Sequence, residues 1–325
     1  MNERPSLKIT LFDPSVCTGN LGDAIIMDCA RKQIKNVFPG SFVTNVQTHD
    51  ILGDVSHDAI NKSDYAIVCG TNLLSSNMNK YNQWKINLID SFKIKNIILM
   101  GVGWWQYQSR PNFYTKYLLR KILHANCYHS VRDNYALDKL ESAGIKNVIN
   151  TGCVTLWDLT PEHIKCIPEE KGEEVLMTFT DYNQRFDLDC HLYNVLSKYY
   201  RKIYFWIQGA RDYEYARKIV DSNNVEFIDP NLAALDQLLA SNISLDYVGT
   251  RLHAGIRALQ YKRRAVILSV DNRAKEKGTD FSLPVIEREN LDGMEKMIVN
   301  PVKIKNIVIP YQSIDSWKQQ FIINK

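Results

Sequence analysis

No stretch of the sequence reaches the roughly 18 consecutive apolar residues that span a bilayer, which excludes a transmembrane helix as the organising element. The N-terminal segment MNERPSLKITLFD has acids and a proline ahead of its first apolar run and lacks the hydrophobic core of a signal peptide. Cysteines stand at positions 17, 29, 69, 127, 153, 166 and 190; they are odd in number and never spaced C-x-x-C, which speaks against a disulfide framework. A free thiol in an apolar run, as at Cys69, behaves as a small hydrophobe. The pattern predicts a reducing, cytoplasmic setting. Blocks of one charge are missing too: a net charge of +4 is small for 325 residues and bases are interspersed with acids, so no nucleic-acid stripe is evident. The pairs Arg31-Lys32 and Arg263-Arg264 close predicted helices, where cations complement the dipole. There is neither a repeat of roughly 20 to 50 residues nor a low-complexity tract. No ligand cluster has metal-binding spacing.

What is present is an ordinary globular composition, 45% hydrophobic and 23% charged, over a length that suits two domains at roughly 100 to 200 residues each. Apolar runs at 7–12, 42–46, 65–69, 96–100 and 127–131 read as strands separated by segments with helical periodicity. A polar stretch with Pro161, Pro168 and Gly172 interrupts the pattern. It resumes with strands at 175–179, 203–207, 225–228, 244–248 and 265–270, and with helices at 192–199, 213–220, 232–239 and 252–259. The expected fold class is therefore α/β, with two doubly wound parallel-sheet domains facing a cleft. The expected boundaries are 1–160 for the first domain, 161–174 for a linker, 175–310 for the second domain, and 311–325 for a helix that returns to the first.

The most informative stretch is DYVGTRLHAGIRALQ, 246–260. Gly249 and Thr250 read as a tight turn between a buried strand and a helix, which places Arg251 and His253 at the helix N-terminus. Free backbone N–H groups and the dipole already favour an anion there. A cation in that position makes sense if something negative binds beside it; the competing reading is an arginine paired with a neighbouring carboxylate and a satisfied core histidine. An arginine at the same kind of junction recurs at Arg132, which opens the helix RDNYALDKLESAG. Two such guanidinium groups suit a ligand with two anionic groups.

Near the N-terminus, DPSVCTGNLGDAII places Gly19 and Gly22 in a turn and Asp23 at a helix start, either as a cap or facing a ligand. The segment lacks a P-loop lysine and a full dinucleotide fingerprint. Gly70-Thr71-Asn72 and Gly101 to Trp105 follow strands, where α/β sheets bind ligands. Trp104 and Trp105 read either as platforms for a sugar or as core. The charged segment SVDNRAKEKGTDF reads as a solvated loop, or as one that closes over an anion through Arg273, Lys275 or Lys277.

GNLGDAII (19–26), Gly70-Thr71-Asn72, GVG (101–103), SVRDNYALDKLESAG (130–144), GTRLHAGIRAL (249–259) and the 270–280 segment together make the chain resemble the polysaccharide pyruvyl transferase family. The most specific combination is RLHAGI after a strand with Arg-Asp opening a mid-chain helix. The resemblance implies two Rossmann-like domains of GT-B type. It also implies transfer of the pyruvyl group of phosphoenolpyruvate to two hydroxyls of a sugar as a cyclic ketal, in polysaccharide biosynthesis, with no cofactor and no metal. Arg132, Arg251, Leu252 and His253 match the family's donor-site pattern, with Gly249 and Thr250 in the preceding turn. His253 is the expected general acid and Asp23 the expected base. Asn72, Trp104 and Trp105 are expected on the acceptor side, Arg257 either behind His253 or on an internal carboxylate, and Arg273 and Lys277 on a loop more charged than the family's usual hydrophobic one. The acceptor is expected to be a polymer or a lipid-linked precursor, so peripheral membrane contact stays open. Two alternatives keep the same fold: a nucleotide-sugar glycosyltransferase, for which no acidic ribose clamp stands out, and a carbohydrate-binding protein without catalysis, which would tolerate loss of His253 or either arginine.

Overall fold

The computed structural model describes residues 6–323. The chain divides into two compact units, one comprising the residues up to Thr18, Ile26–Trp157 and the chain from Pro310 onward, the other Gly19–Ile25 and Asp158–Ile309.

In the first unit, β1 (Lys8–Asp13), β2 (Phe42–Gln47), β3 (Tyr65–Cys69) and β4 (Ile97–Met100) form a parallel sheet in the order β2-β1-β3-β4. A further parallel pair, β5 (His129–Val131) and β6 (Val148–Asn150), is linked to the residues after β4 by a parallel bridge between Val102 and Val131. Strand β1 is buried continuously from Ile9 to Asp13, on both faces of the sheet. The helices are α1 (Leu21–Val37), whose first residues belong to the second unit, α2 (Asp54–Asn61), α3 (Asp90–Lys93), α4 (Phe113–Ile122) and α5 (Asn134–Ser142). Asp133 caps α5 by accepting from the Ala136 N–H at 2.8 Å, and Gly144, at φ +88°, ends it.

The second unit holds a six-stranded, all-parallel sheet of β7 (Glu174–Thr178), β8 (Lys202–Trp206), β9 (Val225–Ile228), β10 (Leu245–Gly249), β11 (Ala265–Ser269) and β12 (Val285–Glu287). Its order is β12-β11-β10-β7-β8-β9, which counted from β7 is the doubly wound 3-2-1-4-5-6 pattern with a switch point between β7 and β10. The helices are α6 (Pro161–Lys165), α7 (Phe186–Tyr199), α8 (Asp212–Ala216), α9 (Leu232–Leu239), α10 (Leu252–Gln260), α11 (Asn272–Phe281) and α12 (Leu291–Val299). The C-terminal helix α13 (Tyr311–Ile323) belongs to the first unit. There Trp317 donates to the Leu99 carbonyl at 3.1 Å and Phe321 packs on Phe38 and Tyr65.

Two readings of the sequence need correction. The segment after β11 is helix α11 rather than a loop: Asp271 caps it through the Arg273 N–H, and Ala274, Lys277 and Phe281 are buried at helical spacing. Gly278 sits on that side with its Cβ position only 3.2 Å from Val285 Cβ, so it serves close packing on β12 rather than flexibility. Arg264 is no dipole cap either. It is fully buried, pairs with Asp246 at 2.6 Å and donates to the carbonyls of Glu169, Met297, Ile298 and Asn300. Among the described residues no helix is long and apolar enough to cross a membrane, and the seven cysteines are all free thiols.

His129, buried three residues before Arg132, accepts from the Leu99 N–H through Nδ1 (3.3 Å), while Nε2 lies 3.0 Å from the His124 carbonyl, as a neutral imidazole requires. Burial lowers its pKa to about 4. The depressed pKa makes neutral His129 stabilising above its unfolded value near 6.5, a contribution lost as pH falls toward 4. The loss is expected to approach about 3 kcal/mol. Urea titrations between pH 7 and pH 4.5 should show it, and a His129→Gln variant should show a flatter acid limb.

Candidate functional site

The β7–β10 switch point collects the residues the sequence singled out in the second unit. Gly249 ends β10 beside β7; a Cβ there would sit 2.4 Å from Thr178 Oγ1, so only glycine fits. The Thr250 hydroxyl is 2.8 Å from that of Thr180, and its N–H donates to the Thr178 carbonyl at 3.1 Å. These two residues therefore knit the strand ends together. Leu252 is buried at the start of α10.

Arg251 is the N-cap residue of α10 and its side chain makes no cap bond. Its guanidinium is 3% exposed and turned inward. Nε donates to the Phe179 carbonyl (2.9 Å) and to Asp212 Oδ2 (3.1 Å), while Nη2 reaches Asp181 Oδ1 (2.9 Å) and Asp212 Oδ1. Asp212 in turn accepts from the Gly209 and Asp181 N–H groups. Burial raises the Asp212 pKa, and Arg251 opposes that shift. One cation thus holds two carboxylates, the internally paired alternative for this residue. Sequence reasoning missed both acids because they arrive from segments 70 and 39 residues away, after β7 and at the start of α8.

His253, 5% exposed, lies against Gly22 at the start of α1. Asn20 pairs with Gly209 in an antiparallel bridge, Leu21 N–H donates to the Gln208 carbonyl at 2.9 Å, and Ala210 N–H to the Gly19 carbonyl at 3.0 Å. This is why residues 19–25 belong to the second unit although they come first in the chain. An ideal Cβ on Gly22 would fall 2.8 Å from Gln208 Nε2 and 3.3 Å from His253 Nδ1, so the amide and the imidazole converge over that glycine.

Gln208 was not singled out from the sequence, yet its orientation is fixed. The Gly22 N–H donates to Asn20 Oδ1 (3.1 Å), and the same oxygen accepts from Gln208 Nε2 (2.8 Å). That leaves Gln208 Oε1, on a side chain 4% exposed, as a buried acceptor with no hydrogen-bond partner. Asp23, also buried, follows in the first turn of α1, and its charge helps to stabilise the Arg273 cation. Replacing Gly22 with alanine is expected to lower stability rather than add helix propensity, because the methyl group would come within 2.8 Å of Gln208 Nε2 and push the amide off Asn20 Oδ1; melting curves of the variant check this.

Arg273 pairs with Asp271 through Nε (3.0 Å to each oxygen) and Nη2 (2.6 Å), and also donates to the Tyr182 hydroxyl. Burial disfavours its charge, but Asp271 above all holds its pKa raised. The Tyr182 ring carries the Arg251 guanidinium at 5.3 Å and the Arg273 guanidinium at 5.7 Å from its centroid. Lys277 is buried on α11 and is not part of a closing loop. Lys275 pairs with Glu287 at 2.7 Å. Arg257 is bidentate on Asp236 (2.8 and 2.6 Å) and so braces α10 against α9.

In the first unit, Arg132 is 1% exposed; Nε lies 3.1 Å from Asp133 Oδ2 and Nη2 2.8 Å from Asn72 Oδ1. The guanidinium lies flat on Gly103, whose Cβ position would be 2.1 Å from Arg132 Nε. Asn72 is thus occupied in orienting Arg132. Trp104 is fully buried, with Nε1 donating to Gln108 Oε1 at 3.1 Å, and is core rather than a sugar platform. Trp105 is half-buried and stacked at 3.5 Å on Tyr81. Among the described residues no group of His, Cys, Asp or Glu is placed to hold a metal ion.

The model of the family described as polysaccharide pyruvyl transferase matches residues 20–272. No curated protein matches the chain. Among solved structures, the chain is similar to the S. aureus MnaA–UDP complex, with 14% identity, TM-score 0.59, and coverage of 97% of this chain and 94% of that one. It is also similar to a UDP-N-acetylglucosamine 2-epimerase with 13% identity, TM-score 0.51, and coverage of 98% and 94%. At such identities the likeness is one of fold. The parallel α/β sheets are consistent with a GT-B-like two-domain architecture.

Proposed function

The chain belongs to the polysaccharide pyruvyl transferase family, whose associated activity is phosphoenolpyruvate-dependent pyruvyl transfer, and on that premise we propose that the switch point of the second unit is where the transfer is carried out. The observation that carries the reading is the convergence of His253 Nδ1 and the Gln208 amide over Gly22, beside the N-terminus of α10.

The donor is an anion with acceptor oxygens, and the N-terminus of α10, without a side-chain cap, offers N–H groups and the positive end of the dipole to its phosphate. His253 gives a proton to the methylene carbon as a sugar hydroxyl attacks the adjacent enol carbon. Phosphate then leaves, and a second hydroxyl closes the ketal. Asp23 takes a hydroxyl proton. Gln208 Oε1 needs a hydrogen-bond donor, which ionised phosphoenolpyruvate lacks and a sugar hydroxyl provides; it therefore belongs with the acceptor. Arg251 acts indirectly, by holding Asp181 and Asp212 and setting the start of α10. The acceptor is a sugar of a polysaccharide or its lipid-linked precursor, Trp105 is its aromatic contact, and the setting is the cytoplasm.

Arg132 enters the proposal as a donor ligand. Arg132→Ala is expected to weaken phosphoenolpyruvate binding by about 1.5–3 kcal/mol, roughly tenfold or more, and Arg132→Lys to recover only part of it. Calorimetric titration beside a melting curve tests this. Unchanged affinity in a folded variant removes Arg132 from the donor site.

A further inference from the structure

The charge reading of the whole chain conceals a local bias. Between Tyr65 and Arg132 stand eight lysines and arginines and a single acid, Asp90. That acid is buried and committed to His57 at 2.9 Å and to the Asn87 N–H at 2.9 Å. The segment includes α3 and α4 of the first unit, and the same surface carries large apolar side chains turned outward. Ile51 and Val55 near the start of α2, Ile89 and Phe92 at α3, and Phe113 on α4 are each between 69% and 86% exposed, with Tyr117 at 41%. Contacts join them into one region. Lys121 Nζ lies 5.9 Å from the Phe92 ring, Phe113 stacks along α4 on Tyr117 at 6.4 Å, and Lys93 on α3 reaches Asp54 on α2 at 3.3 Å.

Lys93 and Lys95 at α3 and Lys121 on α4 are exposed and Lys116 on α4 is half-buried, whereas Arg120 is turned to the Ala143 carbonyl at the end of α5 (2.7 Å). The exposed acids of α2 are partnered, Asp54 with Lys93 and Asp58 with Lys62. Burying five large apolar groups is worth much more than leaving them in water, and contiguous exposed patches of this kind mark interaction surfaces.

We infer that this α2–α3–α4 face docks on an anionic membrane surface, the aromatic and aliphatic tips entering the interface while the lysines meet lipid phosphates. Exposed Phe and Ile interleaved with Lys is the composition that interfacial binding requires, and each cation near an anionic leaflet adds about 1 kcal/mol at low salt. A nucleic acid would use the cations but leave Ile51, Val55 and Ile89 without a partner. The inference stands on surface chemistry alone and is independent of the catalytic reading; combined with that reading, it favours the lipid-linked acceptor over the free polymer.

The test is co-sedimentation of the full chain with phosphatidylcholine vesicles containing about 30% phosphatidylglycerol, with pure phosphatidylcholine vesicles alongside. Binding to the anionic vesicles, at least about tenfold weaker in high salt and in a Phe92→Glu/Phe113→Glu variant, is expected. The variant's unchanged melting temperature and phosphoenolpyruvate response would confirm that its fold is intact. Absence of binding to anionic vesicles, or equal binding by the variant, overturns the inference. So does a wild-type dimer that the variant converts to a monomer without any vesicle binding, since the face would then belong to a second copy of the chain.

Discussion

Replacing His253 with alanine is expected to lower pyruvyl transfer by about 10²–10⁴-fold, the usual contribution of a positioned general acid, while phosphoenolpyruvate still binds. The residue is in the first turn of α10, where N–H groups have no intrahelical partner, so its side chain is placed by the backbone rather than by packing alone. Gly22 leaves room on one side of the ring, and no larger residue would fit between His253 Nδ1 and the Gln208 amide without displacing one of them. A His253→Ala variant that folds, binds the donor and retains near-full turnover would show that another group delivers the proton. A variant that loses donor binding and turnover together would make His253 a ligand rather than the acid.

The second large effect concerns stability. Arg251→Ala removes the cation from between Asp181 and Asp212 and leaves two carboxylates, 12% and 0% exposed, facing each other. Uncompensated buried charge costs about 3–5 kcal/mol, which for a unit of this size lowers Tm by roughly 10 °C or more. A donor arginine open to its ligand would behave otherwise, with a normal Tm and a steeply raised donor requirement. Removing the acid as well separates the two cases. Arg251→Ala/Asp212→Ala should melt above the single variant if the guanidinium serves the carboxylates, and no higher if it does not.

These two residues also show how far the sequence could be read. The strand, Gly-Thr turn and helix around Arg251 were legible because apolar periodicity changes from continuous to helical within a few residues, and the structure places β10 and α10 there. The partners of Arg251 were not legible, since local pattern carries no information about which distant segment supplies a carboxylate. The same limit applies to Gly19 to Asp23. The sequence marked the turn as either a helix cap or a ligand-facing one, and nothing in its spacing showed that it would bridge to Gly209 and bring the Gln208 amide and His253 together over Gly22. Trp104 and Trp105 are neighbours with identical chemistry, and only burial distinguishes them: one is core and the other stacks on Tyr81. In α11, five charges and a glycine gave a loop-like composition, whereas three buried positions at helical spacing decided the structure.

The measurement that tests the central claim most directly is a thermal titration of the purified chain with phosphoenolpyruvate, run beside inorganic phosphate and UDP-N-acetylglucosamine. Stabilisation that grows with phosphoenolpyruvate, exceeds that from phosphate and is absent with the nucleotide sugar is the expected result, because mass action raises Tm only for a ligand that binds the folded state. Stabilisation by the nucleotide sugar alone, with phosphoenolpyruvate inert, would contradict the account and assign the switch point of the second unit to a different donor.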